Sequence, residues 1–397
     1  MKIKVLLILA FPFLIFSCHK DEIKEEQSAA FIKFFADGDL LLTGVDVKPT
    51  SDGGYIVLGT ATHSSDGTRD IYLLQADQFG NLGSWEPKLI GYENDDYAST
   101  LELLSDGYLI MGSSDTSGNG LTNMFLVKTD FSGNILWEKM YGGIGMDEGI
   151  DCQVLSGGGF VLAGHSNSFG TGSYDPYIIT TDATGNVIYT YDFGLTDFDE
   201  KVSAVRTTST GYLVIGNKTN RTTGNVDLWM LSLPDDLDFG LEKTYGNPTV
   251  TDYGEDLCIT GDGRYFYIGI SKNAASGLDD IVFGEFDPVG LRFLSSYSKS
   301  EANFNLRGFG MACSSDGALV ITGSKTSPAG TDLLFLKLGI DGSEISRHYY
   351  GQSGIQQGNA IELTPADNGF IVVGTNGFEE VFKMITLVKT GSDGTLE

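Results

Sequence analysis

Acidic residues recur along this chain at a regular interval, as Asp95-Asp96, Asp147-Glu148, Asp199-Glu200 and Asp252 with Glu255. Carboxylates repeated in this way have two uses. They accept backbone N–H bonds at turns, a common role for Asp in loops. Otherwise they face outward and hold cations or hydroxyl-rich ligands. The turn role is the favoured reading of the pairs, and the second makes Asp96, Asp147, Asp199 and Asp252 candidate binding residues. Aromatic residues such as Tyr92 and Tyr174 fall in or near the same stretches. Their rings would stack on sugars, anchor a protein partner, or plug gaps between packed sheets. A later repeat carries Asn305-Leu-Arg307 at the corresponding place, which adds Arg307 to the candidates.

Catalytic grammar is missing from the sequence. Several carboxylates do not make an acid/base pair until their separation is known, and a period near 52 residues supplies symmetry only. There is no Ser-His-Asp pattern, no phosphate-cradling glycine loop at a helix start and no basic patch. His63, His165 and His348 share no spacing and read as surface histidines. Turns such as Asp77-Gln-Phe-Gly80 lack the alternating oxygen ligands of a calcium loop. The expectation is therefore no catalytic residue, no metal centre and no cofactor, with loose Ca2+ binding compatible with the acidic surface. The net charge of −28 excludes nucleic acid, which selects for Lys and Arg.

The elements that would position these residues are announced by one repeated phrase, an apolar run ending in glycine. It reads Gly54-Tyr-Ile-Val-Leu-Gly59, Gly107-Tyr-Leu-Ile-Met-Gly112, Gly159-Phe-Val-Leu-Ala-Gly164 and Gly211-Tyr-Leu-Val-Ile-Gly216. It returns as Tyr265-Phe-Tyr-Ile-Gly269, Ala318-Leu-Val-Ile-Thr-Gly323 and Gly369-Phe-Ile-Val-Val-Gly374. A period of this size marks stacked supersecondary units. Within one unit, Ala98–Leu104, Tyr108–Met111, Met124–Lys128 and Ile135–Tyr141 read as strands separated by turn residues. Four antiparallel strands per period give an all-β, seven-bladed β-propeller spanning residues 30–397. Outer strands are expected at Trp85–Ile90, where Pro87 costs least, and at Phe293–Tyr297. The last unit has only three strands, at Ala360–Thr364, Phe370–Gly374 and Phe382–Lys389. Phe31-Ile-Lys-Phe-Phe35 has the pattern of its missing outer strand, which would close the ring.

The second-to-third-strand loops read as long, for example His63–Arg69, His165–Asp175, Asn217–Asp227 and Ser324–Asp332, and they share one face with the blade-to-blade loops. That face is the expected binding surface. Cys152, Cys258 and Cys313 lie in three different repeats with no Cys-x-x-Cys pair. They read as buried free thiols, with one disulfide between neighbouring repeats as the alternative.

Leu136-Trp-Glu-Lys-Met-Tyr-Gly-Gly143, Asp147-Glu148, Gly159–Gly164, Ser166-Asn-Ser-Phe-Gly170 and Asp182-Ala-Thr-Gly-Asn186 together resemble a propeller repeat family of secreted and cell-surface bacterial and archaeal proteins. The resemblance implies a surface-displayed binding or scaffold module and carries no catalytic motif.

The N-terminus reads as an export signal. Lys2 and Lys4 precede the apolar run Val5–Phe16, and Ile15-Phe16-Ser17-Cys18 resembles a bacterial lipobox. His19-Lys20-Asp21-Glu22 looks like the signal that sends lipoproteins of the Bacteroidota to the outside of the outer membrane. Residues 1–17 then form the signal peptide, Cys18 carries the lipid, and 18–29 is an acidic tether. The expectation is a monomeric, lipid-anchored protein on the cell surface that binds a protein or glycan through its loop face without catalysis. The alternatives are a glycan-processing enzyme using channel-mouth carboxylates and a structural spacer in an envelope assembly.

Overall fold

Gly and Asp at the turns cut the chain into short strands, and a computed structural model shows how they pair. It describes residues 30–116, 120–169, 173–351, 354–378 and 382–396, so Cys18, the signal peptide and the tether lie outside the described residues. All regular structure in the described residues is β-strand.

Strand β1 (Phe31–Phe35) comes first and pairs last. Next is a sheet of β2 (Leu40–Pro49), β3 (Tyr55–His63), β4 (Arg69–Ala76) and β5 (Lys88–Ile90). The second is β6 (Asp96–Leu104), β7 (Gly107–Ser114), β8 (Asn123–Thr129) and β9 (Ile135–Tyr141). The third is β10 (Asp147–Val154), β11 (Phe160–Ser166), β12 (Asp175–Thr181) and β13 (Val187–Tyr191). The fourth is β14 (Phe198–Thr208), β15 (Gly211–Asn220), β16 (Val226–Leu233) and β17 (Leu241–Tyr245). The fifth is β18 (Asp252–Ile259), β19 (Tyr265–Lys272) and β20 (Asp279–Asp287), with an outer edge split into β21 (Arg292–Phe293) and β22 (Tyr297–Lys299).

The remaining strands form one eight-stranded sheet of two antiparallel parts. One part is β23 (Asn305–Cys313), β24 (Leu319–Ser327), β25 (Gly330–Leu338) and β26 (Glu344–Tyr350). The other is β27 (Ile355–Thr364), β28 (Gly369–Phe378) and β29 (Phe382–Thr390), completed by β1. A single parallel pair, Thr331 with Ile355, joins the parts. Strand β1 pairs antiparallel with β29 from Phe31↔Lys389 to Phe35↔Ile385, as expected from its three phenylalanines.

Sheets stack face to face because each second strand opens with an apolar run buried on both faces. All eight residues of β7 and all seven of β11 are buried. Apolar clusters fill successive junctions: Ile56 and Leu58 meet Leu101 and Ile110, and Leu109 and Met111 meet Cys152 and Leu162. The first sheet meets the last in the same manner, with Leu42, Val47 and Val57 packed on Ile371, Val373 and Ile385.

The first strand of each sheet carries a β-bulge. Its register shifts at Gly44/Asp46, Ala98/Thr100, Gly149/Asp151, Val202/Ala204, Gly254/Asp256, Gly308/Gly310 and Gly358/Ala360. Where the residue before the bulge is Gly44 or Gly149, its missing side chain admits the neighbouring sheet's backbone. A Cβ on Gly149 would sit 2.4 Å from the Gly112 carbonyl oxygen, and one on Gly44 would sit 2.4 Å from that of Gly374. First and last sheets thus meet by the contact used between second and third.

Three readings need correction. Strand β5 is only three residues long and starts after Pro87, which lies outside it. The expected outer strand Phe293–Tyr297 is broken, because the Leu294 and Ser295 N–H groups both turn onto the Glu285 carbonyl. Much of the expected long-loop sequence is strand. β15 runs on to Asn220, whose side chain caps the turn by accepting from Thr222 and Thr223 N–H, and β24 and β25 meet through a tight turn at residues 328–329.

Candidate binding site at the axial channel

The acidic pairs are built into the junctions between sheets. Asp96 is fully buried and accepts from the Tyr92 N–H at 2.6 Å. Asp147, also fully buried, accepts from Gly143 N–H at 2.7 Å, from Ser168 Oγ at 2.6 Å and from Ser166 Oγ. Asp199 accepts from Tyr174 N–H and Asp252 from Asn247 N–H, each at 3.0 Å. Their companions are paired too: Asp95 with Arg69 at 3.1 Å, Glu148 with His165 at 3.2 Å, Glu200 with Lys218 at 2.8 Å. These carboxylates do what turn Asp residues do, and they hold successive sheets in register.

The other sequence candidates lie around the same face in separate junctions. Tyr92 is exposed, and its hydroxyl donates to Glu138, which with burial pushes the phenol up to about 12. Tyr174 has the Lys201 ammonium 4.0 Å above its ring and its hydroxyl on the Met146 sulfur. Arg307 is exposed and fastened to Asp279, with Nε to Oδ2 at 2.7 Å. The structure joins Tyr92 to Asp96 and Tyr174 to Asp199, and it does not bring all seven residues to one point. His165 is not on the surface: it is 4% exposed beside the Tyr174 ring. Cys258 and Cys313 are not free thiols but a disulfide joining β18 to β23, with Cα atoms 6.2 Å apart. Cys152 remains a buried thiol, and burial raises its pKa further.

Sequence reasoning missed the residues inside the ring. Every bulged first strand contributes to a cavity of about 480 Å³ on the axis. Its charged lining holds acids Asp46, Glu102, Asp151, Glu255, Asp256 and Glu362 against two bases, Lys48 and Arg206.

Both bases are already neutralised. Arg206 donates from Nη1 to Asp151 at 2.8 Å and from Nη2 to Asp256 at 2.6 Å, while Nε donates to the Leu257 carbonyl at 2.9 Å. Burial disfavours its charge, but the two aspartates hold it above its ordinary pKa. Lys48 pairs with Glu362 and lies 3.8 Å from Asp46. Burial opposes that charge as well, and Asp46 and Glu362 more than restore it. Asp46, Asp151 and Asp256 also clamp alternate junctions by accepting from Leu101, Val205 and Met311 N–H at 2.9, 2.9 and 2.8 Å.

Glu102 and Glu255 are different. Among the described residues neither carboxyl has a hydrogen bond, and neither pairs with a cation within 4.0 Å. Burial pushes Glu102 up to about 7 against the pull of Lys48, and Glu255 up to about 8 with help from Asp256. Glu255 is the single charged residue among the bulge positions, which elsewhere hold Val45, Ser99, Ile150, Ser203, Phe309 and Asn359. These two partly buried carboxyls open to the channel without a protein partner, which sets them apart from the other acids of the site. A sequence signal existed: Asp46, Asp151 and Asp256 stand two periods apart, and Lys48, Glu102, Gln153, Arg206 and Glu362 recur in register.

No family model matches this chain, and no curated protein matches it either. Solved structures do. The polysaccharide lyase Uly1 aligns at TM-score 0.54 and 10% identity, covering 88% of this chain and 90% of its own. A puromycin hydrolase aligns at TM-score 0.53 and 10% identity, covering 84% of this chain, which spans 50% of that one. The β-propeller domain of the trilobed protease from Pyrococcus furiosus aligns at TM-score 0.45 and 12% identity, covering 88% and 93%. At these identities the likeness concerns the fold, and the chain is an all-β protein of propeller type built from four-stranded antiparallel sheets.

Proposed function

We propose that this chain is a seven-bladed propeller, anchored to the cell surface by lipid on Cys18, that binds a ligand inside its axial channel without catalysis. The blade count follows if the two halves of the eight-stranded sheet act as separate blades, since one parallel pair alone links them. The observation that carries the binding reading is the contrast between junction and channel. Loop-face carboxylates are partnered within the fold, whereas Glu102 and Glu255 face the cavity with none. Anchoring rests on the order of basic residues, apolar run and Cys18.

Two experiments test this. Mass spectrometry of the mature protein finds diacylglycerol on Cys18, and Cys18→Ala releases it from the membrane fraction; an unlipidated protein refutes the anchor. Glycan and protein arrays probed with wild type and Glu255→Gln show a ligand whose binding falls in the variant; equal binding refutes the channel as the site.

A glycan-processing reading has one observation in its favour. A carboxyl held protonated near neutral pH, as Glu255 is, suits a general acid. Release of reducing ends or unsaturated sugars by wild type and not by Glu255→Gln would select it.

A further inference from the structure

We propose that the axial channel takes a linear di- or polyamine, one ammonium on Glu255 and another on Glu102. This deepens the binding reading above and rests on it.

Charge matching in the channel is the starting point. Arg206 is shared by Asp151 and Asp256, and Lys48 by Asp46 and Glu362, so six acids face two bases, and among the described residues Glu102 and Glu255 are the two with no cation within 4.0 Å. An anionic ligand would meet this excess directly, and a neutral one would hydrogen-bond the carboxyls without balancing their charge. A cation pairs them, and buried charges are retained when paired and hydrogen-bonded.

The kind of cation follows from placement. Among the described residues no three His, Cys, Asp or Glu side chains converge in a way that could hold a metal ion. The carboxyls stand on different sheets and at different depths. Glu255 is at the bulge level of β18, and Glu102 lies three residues past the bulge of β6. At the rise of an extended strand, three residues amount to about 10 Å along the strand. Two donors separated by an apolar spacer meet this arrangement, and the cavity of about 480 Å³ has room for such a chain.

Uptake is coupled to protons. The groups acting on Glu102 are Lys48, Asp46, Asp151 and Glu362, and those acting on Glu255 are Asp256 and Arg307, itself tied to Asp279. Near pH 7 these surroundings keep Glu255 largely protonated and Glu102 about half so, and an arriving ammonium ionises both. Each O–H proton leaves to solvent as the carboxylate pairs with an N–H.

Calorimetric titration of the intact protein with spermidine and 1,5-diaminopentane at pH 6 and pH 8, in buffers of different ionisation enthalpy, tests this. The expected result is affinity at least tenfold higher at pH 8, with close to two protons released per ligand at pH 6 and fewer than one at pH 8. Glu255→Gln and Glu102→Gln should each lose about tenfold. Glu86→Gln, at an exposed residue before β5 and away from the cavity, should lose nothing, and 1,5-pentanediol should not bind. No heat from either amine, or equal affinity in the Glu102→Gln/Glu255→Gln double variant, overturns the proposal. If an array ligand still depends on Glu255 while amines fail, the channel site stands and only the ligand class falls.

Discussion

Replacing Glu255 by Gln should stabilise the protein, and more so as pH rises. The carboxyl has no hydrogen bond and burial pushes its pKa from 4.5 up to about 8. The folded pKa is raised above the unfolded one, so this group's contribution is fully present below about pH 4.5 and is lost as pH climbs through 8. For a shift of this size, linkage gives a cost of about 1 kcal/mol at pH 5 and about 5 kcal/mol at pH 9. Solvent entering the channel screens part of it, so the working figure for the difference is about 2–4 kcal/mol. Gln keeps the size and removes the ionisation. Urea unfolding of wild type and Glu255→Gln at pH 5, 7 and 9 reads the difference directly. The variant should gain little at pH 5 and about 2–4 kcal/mol at pH 9. A constant gap across these pH values would show that Glu255 ionises as freely in the native state as in the unfolded chain, and the account of the channel would fail.

Other outcomes follow from the same contacts. Cys258→Ser/Cys313→Ser should lower stability by about 4 kcal/mol, the loop entropy of a cross-link spanning 55 residues, seen as a lower denaturant midpoint. Asp147→Ala strips acceptors from the Gly143 N–H and from two serine hydroxyls, and should cost about 2–4 kcal/mol in thermal unfolding. Removing residues 31–35 bares the β29 edge and the apolar face that Phe35 covers, so Tm should fall and aggregation rise in light scattering. Cys152 should resist thiol reagents until the protein unfolds, because its thiol is buried and its pKa raised.

The strands were legible where apolar runs met turn residues. Ile135–Tyr141, Leu241–Tyr245 and Phe31–Phe35 fall where their residues place them. The pairing of Phe31–Phe35 with the last unit was legible because that unit lacked an outer strand. The bulges were not, since one inserted residue in a half-buried strand leaves no mark in a period-two pattern. Their glycines are scattered among many turn glycines. The channel network was hidden for another reason. Arg206 joins Asp151 and Asp256 across three different sheets, and only the curvature of the stack makes those residues neighbours. Conspicuous pairs such as Asp147-Glu148 drew attention to junctions where the carboxylates anchor turns. Single acids in the first strands, Glu102 above all, carried the less ordinary chemistry.

The account depends on two carboxyls whose ionisation is pushed up to near neutral pH in the channel. Infrared difference titration of the protein, with Glu102→Gln and Glu255→Gln assigning the bands, measures this most directly. The structure predicts protonated carboxyl bands that vanish with apparent pKa values of about 7 and about 8, one lost in each variant. Titration of both groups near 4.5 would contradict it.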